Sequence, residues 1–321
     1  MTAAVRIEGL TKRYGETLAV ANVDLDIGVG EIFGLVGPNG AGKSTTLRML
    51  ATLLEPSGGE AQVWGLDIRR QPNSVRRVIG YMPDTFGVYD DMRVWEYLDF
   101  YARTYVIPAN RRKQIVADLL DLVDLRAKSE AYVHALSRGM QQRLCLAHAL
   151  VHDPKVLLLD EPASGLDPRA RAELRELLRT LRSLGKTIVI SSHILPELEE
   201  LCTAVAIIDR GRVLASGSVD QIQSQFQRGT VVRARVVGGP DEWQAARSFF
   251  ADQAGVVSVS EVSDGRVELA VSGDEKALAE LLYRAMSSGH LISSFAPVVS
   301  DLEELFLQIT APPDQFGVPP S

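Results

Sequence analysis

The stretch EIFGLVGPNGAGKSTTLRMLATLL, residues 31–54, changes character twice. It opens as a nearly continuous apolar run, the pattern of a strand buried on both faces of a parallel sheet. It passes through Gly37, Pro38, Asn39, Gly40, Ala41, Gly42, Lys43 and Ser44, and closes on a helical pattern. GxxxxGK[ST] between a strand and a helix is a phosphate-binding loop. The glycines let backbone N–H groups curl around phosphate oxygens, and the following helix N-terminus adds a positive partial charge. Lys43 is placed to contact the β- and γ-phosphates, and the Ser44 hydroxyl to ligate Mg²⁺. A glycine-rich turn would explain the glycines alone; the strand before and the helix after select the phosphate-binding reading.

Two more apolar runs, KVLLLDEP (155–162) and KTIVISSH (186–193), also end in polar residues. In open α/β sheets ligands bind beyond the carboxyl ends of the strands, so these ends are where chemistry is expected. At the first, Asp160 can hold the Mg²⁺ shell while Glu161 polarises an attacking water. Two carboxylates could merely cap a strand exit, but not readily downstream of a phosphate-binding loop.

The 321 residues suggest two domains at roughly 150 residues each. With 46% hydrophobic and 23% charged residues the chain is expected to be globular rather than disordered. Its 34 basic against 41 acidic residues, a net charge of -7, argue against non-specific nucleic-acid binding. Cys145 and Cys202 lie in apolar stretches without CxxC spacing and read as buried free thiols in a reducing compartment. No run approaches the roughly 18 apolar residues that span a bilayer, and MTAAVRIEGL does not resemble a signal peptide. Any membrane function is therefore expected to come from a partner.

Residues 85–150 turn helical, an expected insertion in the α/β domain. VWEYLDFYARTY (94–105) aligns Val94, Leu98, Tyr101 and Tyr105; QIVADLLDLVDL (114–125) aligns Ile115, Leu119, Leu122 and Val123. Asp167 and Pro168 read as the N-cap and first residue of a helix running to about Leu184 and stopped by Gly185. After GRVLASGS (211–218) the order is strand, helix, strand, strand, helix, strand, the ferredoxin-like βαββαβ arrangement, followed by a helix in DLEELFLQIT and a proline-rich tail. The expected domains are residues 1–217, then 218–310, with a flexible tail at 311–321.

GPNGAGKST, LSRGM followed by QQRL, VLLLDEP, SGLD and SSH occur in the order and rough spacing of the ATP-binding cassette (ABC) ATPases. The chain resembles that family over residues 5 to about 217. The resemblance implies an α/β P-loop fold with a helical insertion, ATP and Mg²⁺ as cofactors, and a homodimer with nucleotide at its interface. It implies that Gly37 to Thr45 cradle the phosphates and that Tyr14, in KRYG, stacks on adenine, a contact contributing roughly 1–3 kcal/mol where measured for bases. Ser137 and Gly139 are similar to the signature residues that reach the γ-phosphate held by the opposite subunit. Asp167 resembles the residue linking the two sites, although helix capping explains it equally well. His193 resembles the switch histidine that bonds the γ-phosphate. Glu161, His193 and Lys43 are thus the expected catalytic residues, and Ser44, Asp160 and Asp84 the expected metal ligands.

Asp84 is a departure, because the family usually has glutamine there. Aspartate can ligate a metal, but at about 5 Å and an effective dielectric of 20 one like-charge pair costs on the order of 3 kcal/mol. Arg138 and Met140 also depart, replacing a glycine and a glutamine of the signature. His148 and His152 stand four apart on a helix, a spacing that suits a metal, but their apolar neighbours favour packing. The aromatics of residues 94–105 serve packing or face a partner's coupling helix. His290 alone carries no chemistry.

The ending DLEELFLQIT after a small α/β domain looks like the ATPases paired with ABC-2-type export permeases. The resulting expectation is an ATP-hydrolysing subunit, cytoplasmic and held at the inner face of the membrane by an integral permease, driving export, with no nucleic-acid partner. The alternatives are a weakly hydrolysing regulatory module, favoured by Asp84 and Arg138, and a non-transport cassette acting on ribosomes or DNA. The latter is disfavoured by a single cassette and an acidic balance.

Overall fold

Along Ala3–Tyr14 (β1) and Thr17–Gly28 (β2) apolar and polar residues alternate, and each strand turns the apolar set inward. Val23, Leu25 and Ile27 are buried, whereas Asn22, Asp24 and Asp26 between them are exposed. Ile32–Val36 (β3) does not alternate and is buried throughout, as a central parallel strand requires. The computed structural model describes residues 3–85, 87, 89, 91–194, 198–226, 230–262, 264–273 and 275–297. Two compact units divide the chain, residues 1–219 and 220–321.

The first unit is α/β with two sheets. β1 and β2 pair antiparallel and continue through Gly58–Val63 (β4) to Leu66–Asp67 (β5), in the order β2-β1-β4-β5. The second sheet joins β3 to Ile79–Met82 (β6), Val156–Asp160 (β7), Thr187–Ser192 (β8), Ala204–Asp209 (β9) and Arg212–Ser218 (β10). Its order is β10-β9-β3-β8-β7-β6, parallel throughout except that β10 runs against β9. The register pairs Val36 with Ser192 and Asp160 with Ser191, which brings the carboxyl ends of β3, β7 and β8 level. Lys43–Leu50 (α1) packs against β2, β4 and β7, and its Leu47, Met49 and Leu50 join one core cluster with Val5, Ile7, Leu158 and Val189. Each such fully buried side chain contributes roughly 1.5–3 kcal/mol.

Pro72–Val78 (α2) precedes β6, and Val94–Thr104 (α3), Ala109–Leu122 (α4) and Arg138–Leu150 (α5) form the helical insertion. Its packing corrects the expected faces. In α3 the buried positions are Val94, Tyr97, Leu98 and Ala102, with Tyr105 exposed beyond the helix. In α4 they are Val116, Leu119 and Leu120, with Val123 just after, while Ile115 and Leu122 are half-buried. The reason is that α4 packs on both α3 and α5, so its apolar stripe is centred about one position away from the one the sequence suggests.

Pro168–Ser183 (α6) buries Leu174, Leu177, Leu178 and Leu181, and Asp167 caps it by accepting the Ala170 N–H at 2.8 Å. Gly185 follows in the left-handed region, φ +84°. Cys145 and Cys202 are free and buried, and burial pushes both thiols up to about 12. That keeps them protonated and unreactive. No helix among the described residues is long and apolar enough to cross a membrane.

In the second unit the elements are Thr230–Val236 (β11), a helix Pro240–Ala251, Val256–Val262 (β12), Arg266–Val271 (β13), a helix Glu275–Ser287 and Ile292–Pro297 (β14). The antiparallel sheet order is β12-β13-β11-β14, which is the ferredoxin-like arrangement. Val232, Ala234, Phe250, Val267, Leu269 and Leu281 centre its core. The expected helix in DLEELFLQIT and the tail 311–321 lie outside the described residues.

Candidate functional site

The loop after β3 is held open by close backbone approaches that admit only glycine. A Cβ on Gly37 would stand 2.1 Å from the Ile208 carbonyl oxygen, and one on Gly42 2.5 Å from that of Ala19. Gly40 and Gly42 also lie at φ +83° and +106°. No side chain caps α1, so the N–H groups of its first turn are available to an anion. Lys43, only 5% exposed, folds back over the loop. Its ammonium donates to the carbonyls of Gly37 at 2.7 Å and Pro38 at 3.2 Å.

β7 delivers the carboxylates. Asp160 is fully buried, and its Oδ1 accepts from Ser44 Oγ at 2.8 Å and Ser191 Oγ at 2.7 Å. Its Oδ2 is buried with no hydrogen bond. An unsatisfied buried carboxylate oxygen is costly in isolation and is suited to a hard cation. The donor set of Ser44 and Asp160 therefore fits Mg²⁺. Glu161 bonds Lys43 Nζ through Oε1 at 3.2 Å, and its Oε2 accepts from His193 Nδ1 at 2.8 Å. Its backbone sits in the left-handed region at φ +48°, and its N–H donates to Ser191 Oγ at 2.9 Å. Such a conformation costs about 1–3 kcal/mol for a residue with a side chain.

Lys43, Ser44, Asp160, Glu161 and His193 thus come together from three strand ends. Ser191 belongs with them, since its hydroxyl ties Asp160 to the Glu161 backbone. Sequence reasoning singled out the SSH triplet for its histidine and passed over this serine, whose signal was a polar residue at the end of an otherwise apolar strand.

Ser137, Gly139 and Asp167 form a second cluster. Ser137 caps α5, accepting the Met140 N–H at 3.4 Å. With the turn at Gly165 they line a cavity of about 280 Å³ between the N-termini of α5 and α6. Asp84, just beyond β6, is exposed, and both it and Asp160 act to raise the Tyr81 phenol above its ordinary value, after the larger effect of burial. Tyr14 stands about half exposed, with the Lys12 ammonium 5.2 Å from its ring centre.

His148 and His152 are packing residues. The His148 ring stacks on Tyr101 at 3.5 Å between centroids, and that of His152 on Tyr105 at 3.9 Å. His152 Nε2 donates to the Ile79 carbonyl at 2.7 Å. Burial, with the neighbouring His152, lowers His148 to about 4, so its ring is neutral.

Residues 20–164 match the family described as ABC transporter, and residues 217–310 match the ATP-binding protein DrrA1-3-like C-terminal domain. The daunorubicin/doxorubicin resistance ATP-binding protein DrrA of Streptomyces peucetius is 36% identical over 317 residues, 97% of this chain and 94% of that protein. Nod factor export ATP-binding protein I of Ralstonia nicotianae is 36% identical over 311 residues, 96% and 94% of the two chains. The linearmycin resistance ATP-binding protein LnrL of Bacillus subtilis is 30% identical over 306 residues, 95% and 98%. Among solved structures, an ATP-binding subunit of an ABC transporter is 31% identical, with a TM-score of 0.64 over 70% of this chain and 93% of that one. A dimeric ATP-binding cassette in a post-hydrolysis state with ADP and Pi is 25% identical, with a TM-score of 0.61 over 67% and 98%.

Proposed function

The chain belongs to the ABC transporter family of ATP-binding proteins, and from that membership we propose a homodimeric ATPase that drives a separate ABC-2-type permease in export. It is an ATP-binding subunit of the exporter type, as the drug-resistance and Nod factor export relatives are. The observation that carries the catalytic reading is the convergence of Lys43, Asp160, Glu161 and His193 at the ends of β3, β7 and β8.

The phosphates of ATP take the place of the contacts that now hold Lys43. The ammonium leaves the Gly37 and Pro38 carbonyls and Glu161 for the β- and γ-phosphate oxygens, while the loop and α1 amides bind the remaining charge. Glu161, freed of its cation, accepts a proton from the water it orients toward the γ-phosphorus. His193 Nδ1–H passes from Glu161 Oε2 to a phosphate oxygen. Ser44 and Asp160 would hold Mg²⁺, which would supply positive charge to offset that of the phosphates. Ser137, Gly139 and the α5 N-terminus of a second copy replace the water over the γ-phosphate. Fixed donors of this kind contribute about 10²- to 10³-fold each. Tyr14 supports the adenine ring, and Asp167 spans the two copies.

Dimerisation is then conditional on ATP and reversed by hydrolysis, which gives a closing and opening stroke. The chain itself contributes no spanning helix among its described residues, so the stroke acts on a partner at the inner membrane face. Turnover of the wild type with MgATP against Glu161→Gln tests the assignment, together with co-purification of the permease. A wild type no faster than the variant would leave only the regulatory reading.

A further inference from the structure

The two serines before His193 put their hydroxyls to different uses. Ser192 accepts the Ile194 N–H at 3.0 Å and so shapes the turn that carries the histidine. Ser191 is fully buried on β8, where the register sets it opposite Asp160 of β7. A hydroxyl has one proton to give and lone pairs to receive. Ser191 gives its proton to Asp160 Oδ1 at 2.7 Å and receives the Glu161 N–H at 2.9 Å. One oxygen atom therefore holds two consecutive residues, the expected metal ligand and the expected base.

The other hydroxyl on Asp160 Oδ1 is that of Ser44, at 2.8 Å, and Ser44 is itself assigned to the ion. Ser191 is thus the anchor that does not depend on what fills the site. It fixes the carboxylate at one oxygen and leaves Oδ2 without a hydrogen bond. At Glu161 the backbone lies at φ +48°, a region that a side chain disfavours, and the bond to Ser191 holds it there from the neighbouring strand. Removing such an outer partner of a metal ligand typically changes metal affinity or activity about 10- to 100-fold.

We propose that Ser191 is a positioning residue that couples the metal site to the base: with one hydroxyl it orients Asp160 for Mg²⁺ and sets the backbone turn that aims Glu161. The inference deepens the MgATP reading above and rests on it.

The test compares the parent with Ser191→Ala and with the pair Ser191→Thr and Ser191→Val, which have nearly the same shape and differ in the hydroxyl. Binding of a fluorescent ATP analogue is titrated in EDTA and against rising Mg²⁺, and phosphate release at saturating Mg²⁺ gives kcat. In Ser191→Ala and Ser191→Val the half-saturating Mg²⁺ is expected to rise at least about tenfold and kcat to fall about 10- to 100-fold. Affinity for the analogue in EDTA stays as in the parent. Ser191→Thr is expected to recover most of both losses, whereas a purely packing role would make Thr and Val behave alike. Should Ser191→Ala fail to fold, the Thr and Val pair decides. Hydroxyl-free variants with the parent's Mg²⁺ dependence, a change in only one of the two quantities, or a Thr variant as impaired as Val overturns the inference and leaves the MgATP reading standing. A parent whose nucleotide binding does not respond to Mg²⁺ overturns both.

Discussion

The Lys43 ammonium and the Glu161 carboxylate lie 3.2 Å apart, so without nucleotide the loop cation and the expected catalytic base neutralise each other. Both side chains are mostly buried, and the second Glu161 oxygen is taken by His193. On the proposed reading ATP separates all three groups as it binds, which couples filling of the site to release of the base.

Glu161→Gln should therefore keep nucleotide binding and lose turnover. The expected loss is about 10²- to 10⁴-fold, the range for a positioned base. His193→Ala should lower turnover by about 10²-fold while retaining binding. A fluorescent nucleotide titration beside a phosphate-release assay separates the two effects.

Asp84→Gln should retain or raise ATPase activity. Asp84 is exposed, so removing its negative charge should ease binding of the phosphates without opening a cavity. Activity falling to background would show instead that its carboxylate is needed.

Stability should fall as pH drops from about 6.5 to about 4. His148, half-buried against Tyr97 and Tyr101 with His152 one turn along, is lowered by desolvation to about 4 from its ordinary 6.5. In that window the unfolded chain takes up the proton and the folded one does not. The contribution is present above the ordinary value, is lost progressively on acidification, and amounts to on the order of 3 kcal/mol. Urea midpoints at several pH values should flatten in His148→Phe, leaving the smaller dependence from His152, also lowered by burial.

Asp167→Ala should cost about 1 kcal/mol of stability by removing the α6 cap. Asp167→Asn should restore most of it. A dimer that weakens in both variants would separate the linking role of Asp167 from its capping role.

Much of this site was legible because its residues are fixed by short-range sequence. Gly37 to Ser44 follow one strand directly, Asp160 and Glu161 end the second, and His193 ends the third. The parallel register does the rest, aligning strand ends that lie far apart in the chain. What could not be read depends on tertiary contact. The left-handed backbone of Glu161 is sustained by Ser191 from another strand. The pairing of Lys43 with Glu161 requires the folded loop, and the resting place of Arg138 on Gly165 joins two helix starts. In α4 the periodicity was evident but its phase was not, since the helix packs on two neighbouring helices rather than one.

The central claim is that each copy completes the other's site, and subunit complementation tests it most directly. Lys43→Ala with an intact signature and Ser137→Arg with an intact phosphate loop should each be inactive alone. Mixed, they should recover up to about a quarter of wild-type turnover, because random pairing makes half the dimers mixed and each mixed dimer holds one intact site of two. A mixture no faster than the sum of its parts would contradict the account.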